Sequence, residues 1–183
     1  MAIKTFTTGE VLTAADTNTY LANSGLVYVA SKTFSGSGTV SCTSFFNSTY
    51  DNYMLVMSCS SAAAGGQIVE TRMMQGSTAT SGGTAYKFYE AGNVWSGGAD
   101  VTAGNGAAYW FGFRSDTFFV GTMQIQNPYT ANYTTYQTSQ IDAAQSVESR
   151  GVHESTTAYD GIQFKVGSGN LGGTVTCYGY RKG

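Results

Sequence analysis

Charge is scarce in this chain. Only 11% of its 183 residues are Asp, Glu, Lys or Arg, against about 25% in an ordinary globular domain. The formal net charge is −2, and the only basic run is Arg181-Lys182 at the C-terminus. That argues against a nucleic-acid partner, which needs clustered Lys and Arg to neutralise phosphates. Proline and histidine occur once each. No apolar run approaches the length of a membrane span, and the opening Met-Ala-Ile-Lys-Thr lacks the apolar core of a secretion signal. Membrane insertion is therefore not expected, and the chain is expected to fold in a cytoplasm. Three cysteines, Cys42, Cys59 and Cys177, are odd in number and widely spaced. With no Cys-x-x-Cys among them they read as small buried hydrophobes in strands.

What the chain has instead is 19 Ser, 25 Thr, 24 Gly, 13 Tyr and 10 Phe. Thr, Tyr and Phe favour pleated, half-buried surfaces, while Gly and Ser punctuate turns. The composition is all-β. The length suits one domain, large enough to bury about 70% of its unfolded surface. A surface poor in charge and rich in hydroxyl and amide groups is typical of a protein packed against other subunits.

The first 25 residues differ from the rest. They read as a short extended piece and one small helix, which Asn23-Ser24-Gly25 ends. Thr13 is placed to cap the helix, with Asp16 three residues on completing the reciprocal arrangement and facing the positive end of the dipole. About two helical turns are too few to stand alone, so the helix must dock on something. Residues 1–25 are thus expected to be an attachment arm and 26–183 the body. Phe6, Val11, Leu12, Tyr20 and Leu21 are the apolar residues expected in the dock, around Thr13 and Asp16.

In the body, strands are expected over Leu26–Ala30 continuing through Thr33-Phe34, then Thr39–Phe46, Tyr50–Cys59, Gln67–Met74 and Ala85–Tyr89. Tyr109–Phe113 and Phe118–Gln126 read as a hairpin across Arg114–Thr117. Asn132–Ile141, Val147–Glu154, Tyr159–Val166 and Gly173–Tyr180 complete the set. Residues 91–107, with five Gly, read as a long surface loop that pins Trp95 against the body. Tyr53–Met57 is apolar at both parities, as in a strand covered on both faces. About ten short strands with turn signals between them indicate a sandwich or barrel. The uneven loops favour a jelly-roll-like antiparallel β-sandwich.

Motifs for chemistry are weak. His153, Ser155 and Asp160 make a triad only on paper, since no strained Gly-x-Ser-x-Gly turn is present and nearness in sequence is not nearness in a fold. Asp142, Glu148, Glu154 and Asp160 contain a glycosidase pair only if two of them face one cleft. No acid ladder suits a metal and no Gly-rich segment has the setting of a phosphate loop. No cofactor is expected. Tyr89, Trp95, Tyr109 and Trp110 are candidates for receptor or sugar contact, by stacking on a ring; as core or interface aromatics they would have an ordinary structural role instead.

Two parts of the chain carry a resemblance. The opening Phe6-Thr7-Thr8-Gly9-Glu10-Val11-Leu12-Thr13-Ala14-Ala15-Asp16-Thr17-Asn18 resembles that of many tailed-bacteriophage virion structural proteins. These are fibre, minor tail and head-decoration proteins, held to the particle by their first residues. The body resembles their small trimeric β-sandwich domains in Phe45–Tyr53, Ser155–Ile162 and Gly173–Arg181. The resemblance implies a non-enzymatic virion protein that forms a homotrimer and docks on tail, portal-proximal or capsid proteins through its N-terminus; the aromatic candidates add a host surface glycan as a candidate partner. A short fibre or appendage is the first reading, on the docking-type helix, the anchor-like opening and the low-charge β body; the want of a long shaft between anchor and head domain speaks only against a long tail fibre. A capsid decoration (cement) protein is the alternative, and a depolymerising tailspike-like enzyme a more distant one.

Overall fold

In a computed structural model of the chain, residues 7–16, 25–61, 67–81, 85–107, 109–115 and 118–181 are described. Among these residues one helical turn, α1 (Ala14–Asp16), precedes thirteen strands. An eight-stranded antiparallel sheet is built from β1 (Leu26–Ser37), β13 (Leu171–Arg181), β3 (Tyr50–Ser61), β9 (Phe119–Gln126), β10 (Thr134–Asp142), β11 (Gln145–His153), β6 (Tyr86–Val94) and β7 (Ala99–Ala107), in that order. The second sheet orders β2 (Thr39–Cys42), β12 (Gly161–Val166), β4 (Gln67–Gln75) and β5 (Thr78–Ala79), with β8 (Trp110–Ser115) also paired to β4.

The chain crosses between sheets at β1→β2, β2→β3, β3→β4, β5→β6, β7→β8, β8→β9, β11→β12 and β12→β13. With β1-β13-β3-β9 opposite β2-β12-β4-β8, this is the double Greek-key path of a jelly roll. Two hairpins, β6–β7 and β10–β11, are inserted into that path. They pair with each other through β6 and β11 and widen the large sheet beyond β9. The expected sandwich and short N-terminal helix are therefore present.

Three local expectations are corrected. Residues 91–107 are not a loop: they form most of the β6–β7 hairpin, in register from Tyr86↔Ala107 to Asn93↔Ala99. The turn residues Gly97 and Gly98 take positive φ there, so glycine serves a tight reversal rather than a long excursion. Tyr109–Phe113 and Phe118–Gln126 are not a hairpin either. β8 pairs β4 in the small sheet, while β9 lies between β3 and β10 in the large one. Apolar pattern alone does not distinguish a hairpin from a crossing between sheets, because both put Phe113 and Phe119 in the core, where their rings stack 5.5 Å apart. Lastly, β3 is covered on one face only: Tyr53, Leu55 and Met57 are buried, but Met54 is partly exposed and Val56 exposed.

The core joins both sheets under β1, β13, β3 and β9, with Leu55, Met57, Met123, Ile125, Val175, Phe164 and Ile162 all buried. The three cysteines are free and buried among them, and burial pushes the Cys42 and Cys177 thiols up to about 12. Beneath the inserted hairpins the filling changes character. The inward side chains of β10 are Thr134, Tyr136, Thr138, Gln140 and Asp142, all buried. Gln140 exchanges side-chain hydrogen bonds with the backbone of Arg114 on β8, the Arg114 N–H donating to Oε1 at 2.7 Å and Nε2 donating to the carbonyl. The Arg114 guanidinium donates to buried Glu90 at 2.7 Å. These bonds satisfy groups that would otherwise be costly to bury, so this half of the sandwich is fastened by polar contacts.

Candidate functional site

The N-terminal cap forms as its residues imply. The Asp16 N–H donates to Thr13 Oγ1 at 3.1 Å, while the Thr13 N–H and hydroxyl donate to Asp16 Oδ2 at 3.1 and 2.6 Å. Upstream, the Glu10 N–H donates to the Thr7 carbonyl and the Thr7 N–H to the Glu10 carboxylate. None of α1 is buried. Val11 is 79% exposed and Leu12 48%, so two of the five apolar docking candidates project into solvent. Phe6, Tyr20 and Leu21 lie outside the described residues, as does the expected helix end at Asn23-Ser24.

The four aromatic candidates do not converge. Tyr89 stands on the outward face of β6, with the Arg150 guanidinium 5.9 Å from its ring centroid. Tyr109 lies beside Arg72 of the small sheet. Trp110 is fully buried, its ring 4.4 Å from Tyr136 and 5.4 Å from Tyr86. Trp110 is thus corrected from surface candidate to core residue. Trp95, at the β6–β7 turn, is 56% exposed yet fixed: its N–H donates to the Ala144 carbonyl at 2.9 Å and its indole N–H to the Asp142 carbonyl at 3.2 Å. An anchored, exposed indole is suited to contact with a partner.

His153, Ser155 and Asp160 are directed apart. His153 is fully buried in a cage of Tyr86, Tyr159 and Trp110, with ring centroids 4.1, 5.3 and 6.1 Å away. Its Nδ1 accepts the Ser155 N–H at 3.3 Å, while the Ser155 hydroxyl donates to Thr157 and Asp160 Oδ1 accepts the Gly76 N–H. Burial pushes the imidazole down to about 4, so it is neutral at pH 7. The acids are equally dispersed. Asp142 is buried and accepts the Ala144 and Gln145 N–H groups, which closes the β10–β11 turn. Glu148 points out of the opposite face of the sheet, and Glu154 pairs with Lys87 at 2.7 Å. Among the described residues no cluster of three or more His, Cys, Asp or Glu is placed to hold a metal ion.

No family model, no curated protein and no solved structure matches the chain.

The three body runs of the virion resemblance meet at one corner of the sandwich. The Phe46 N–H donates to the Asp160 carbonyl, Cys177 Sγ to the Phe45 carbonyl, and Tyr53 exchanges hydrogen bonds with the Asn47 backbone. The Tyr50 ring lies over Gly179, where an added Cβ would sit 2.3 Å from Cγ. Those runs therefore record how the corner packs. Chemistry would have to come from elsewhere.

The widest surface is the outward face of the large sheet. Its registers align one row across all eight strands: Tyr28, Tyr178, Met54, Gln124, Gln137, Arg150, Tyr89 and Ala103. The adjacent row runs Thr176, Val56, Thr122, Ser139, Glu148, Ala91 and Val101 from β13 outwards. Val56, Val120, Thr122, Ser139 and Ile141 line a shallow depression of about 280 Å³ near its centre. Sequence reasoning does not single out Val56, Val120 or Ile141. The signal present was the double-parity apolar run in β3, which marks a second face to be covered without saying by what.

Proposed function

We propose that the chain is a non-enzymatic bacteriophage virion structural protein, a short appendage docked to the particle through residues 1–25 with its sandwich directed outward. The observation that carries this reading is the arm: a capped turn whose Val11 and Leu12 are exposed rather than packed on the body. Apolar side chains presented by so short an element gain stability only by burial on a partner. The low-charge β body and the resemblance of both ends of the chain to virion proteins support it. Self-assembly as a homotrimer, association with tail or capsid proteins and a location in the virion belong to the same reading.

The test is incorporation. Full-length protein should join particles, and protein lacking residues 1–25 should keep its β-rich circular dichroism while failing to join. Unchanged incorporation of the truncated chain would refute the docking role. The exposed, anchored Trp95 favours host-surface contact as the appendage's task, and particles carrying Trp95→Ala should then adsorb more slowly. A cement protein would instead leave adsorption unchanged and make heads burst more readily when omitted.

A further inference from the structure

On the reading just given, the chain assembles with itself; the structure also offers a surface for that contact. We propose that the outward face of β13, β3, β9 and β10 is buried against a second copy of this chain. Away from the strand ends, where Asp51 is partly exposed and Arg181 exposed, none of the outward side chains on these four central strands is charged. A free surface of this size would ordinarily carry several charges, since about 25–35% of a soluble surface is Lys, Arg, Glu or Asp. Val56, Val120 and Ile141 are exposed in its middle, Ile141 by 54%, and charge returns at the periphery, as Arg181 at the end of β13 and Lys87, Glu148 and Arg150 on the flank. An uncharged centre and a polar, charged flank is the anatomy of a protein–protein interface.

Two features select a second copy over an unlike partner. The polar groups at the centre are amides and hydroxyls (Gln124, Gln137, Thr122, Ser139), each both donor and acceptor. Such a field can pair with an identical one, whereas a charged partner would leave its own charges buried without counterions. The dimensions also suffice. The four strands, about 4.8 Å apart and about ten residues long, give a centre of about 600 Å², and with β1 and β11 beside them as its rim the face reaches about 950 Å², against about 800 Å² per partner in a standard interface. The face also supplies the cover that the apolar outward residues of β3 require.

The experiment is sedimentation equilibrium on the full chain and on two variants, Val56→Lys/Ile141→Lys and Gln124→Glu/Gln137→Glu. Gln75→Lys, at the exposed end of β4, serves as the control. Circular dichroism and thermal melting accompany each sample, and the second pair leaves apolar packing intact should the first fail to fold. The wild type and the control should sediment as an oligomer, and either folded face variant should fall to the monomer mass, with its dissociation constant raised at least tenfold. Two copies would mean face-to-face pairing, and three would mean that the β13–β3 half of the face meets the β9–β10 half of a neighbour's. An oligomer undisturbed by both face variants would overturn this surface while leaving self-assembly and docking standing. A monomeric wild type at its highest soluble concentration would overturn self-assembly itself. Particle incorporation through the arm is read separately.

Discussion

Because His153 is the only histidine in the chain, its burial makes a single-residue prediction about acid stability. In the unfolded chain it titrates near 6.5, whereas in the folded protein burial pushes it down to about 4. The unfolded state therefore binds a proton that the folded state refuses across that interval. Stability from this group is complete above about pH 6.5, is lost as the pH falls towards 4, and changes no further below. At about 1.4 kcal/mol per unit the full loss is about 3 kcal/mol, of which about 2 kcal/mol is gone between pH 8 and pH 5. The assay is urea unfolding at a series of pH values on the wild type and on His153→Phe, which keeps a ring inside the Tyr86–Trp110–Tyr159 cage. The variant should lose the His153 share of the slope between pH 4 and 6.5, so the two curves should converge at low pH. NMR titration of the single imidazole should show no inflection near 6.5 in the folded protein. Parallel wild-type and variant curves, or an imidazole titrating near 6.5, would refute the buried placement.

Two further predictions follow from the polar half of the sandwich and from its edge. Arg114→Met should cost about 3–5 kcal/mol by leaving Glu90 in the interior without its guanidinium, and adding Glu90→Leu should recover much of it; chemical denaturation of the single and double variants measures both. The two tryptophans should be separable by acrylamide quenching, with Trp95 supplying a red-shifted, quenchable emission and Trp110 a blue-shifted, protected one. Trp95→Phe should leave only the protected component, and an emission still readily quenched in that variant would contradict the burial of Trp110.

The sequence carried the fold where one face of a strand is apolar and the other is not. Ile162, Phe164 and Val166 alternate with Gln163 and Lys165, and that alternation matches their burial in β12. It marked the strand but not its burial where inward positions are polar. Thr134, Tyr136, Thr138, Gln140 and Asp142 give no hydrophobic period, because their burial depends on partners on β8 and in the adjoining turn that no local pattern reveals. Residues 99–107, Ala-Asp-Val-Thr-Ala-Gly-Asn-Gly-Ala, pair as an outer strand whose register is set by β6 rather than by any apolar stripe. The capped turn was readable, since Thr13 and Asp16 lie three residues apart. The uncharged outward face was half readable: β3 showed two apolar parities, but only the strand order brings Val120 and Ile141 beside Val56. Trp110 and Trp95 could not be told apart beforehand, since burial of an aromatic depends on neighbours distant in sequence.

The central claim is that this chain works by attachment rather than by chemistry. Reconstruction of purified phage particles that carry it tests this most directly. The account predicts its density at a symmetric site on the particle, with residues 7–16 buried against another virion protein and the sandwich outside. Absence of the chain from particles, or density whose only contact with the virion is the sandwich body, would contradict it.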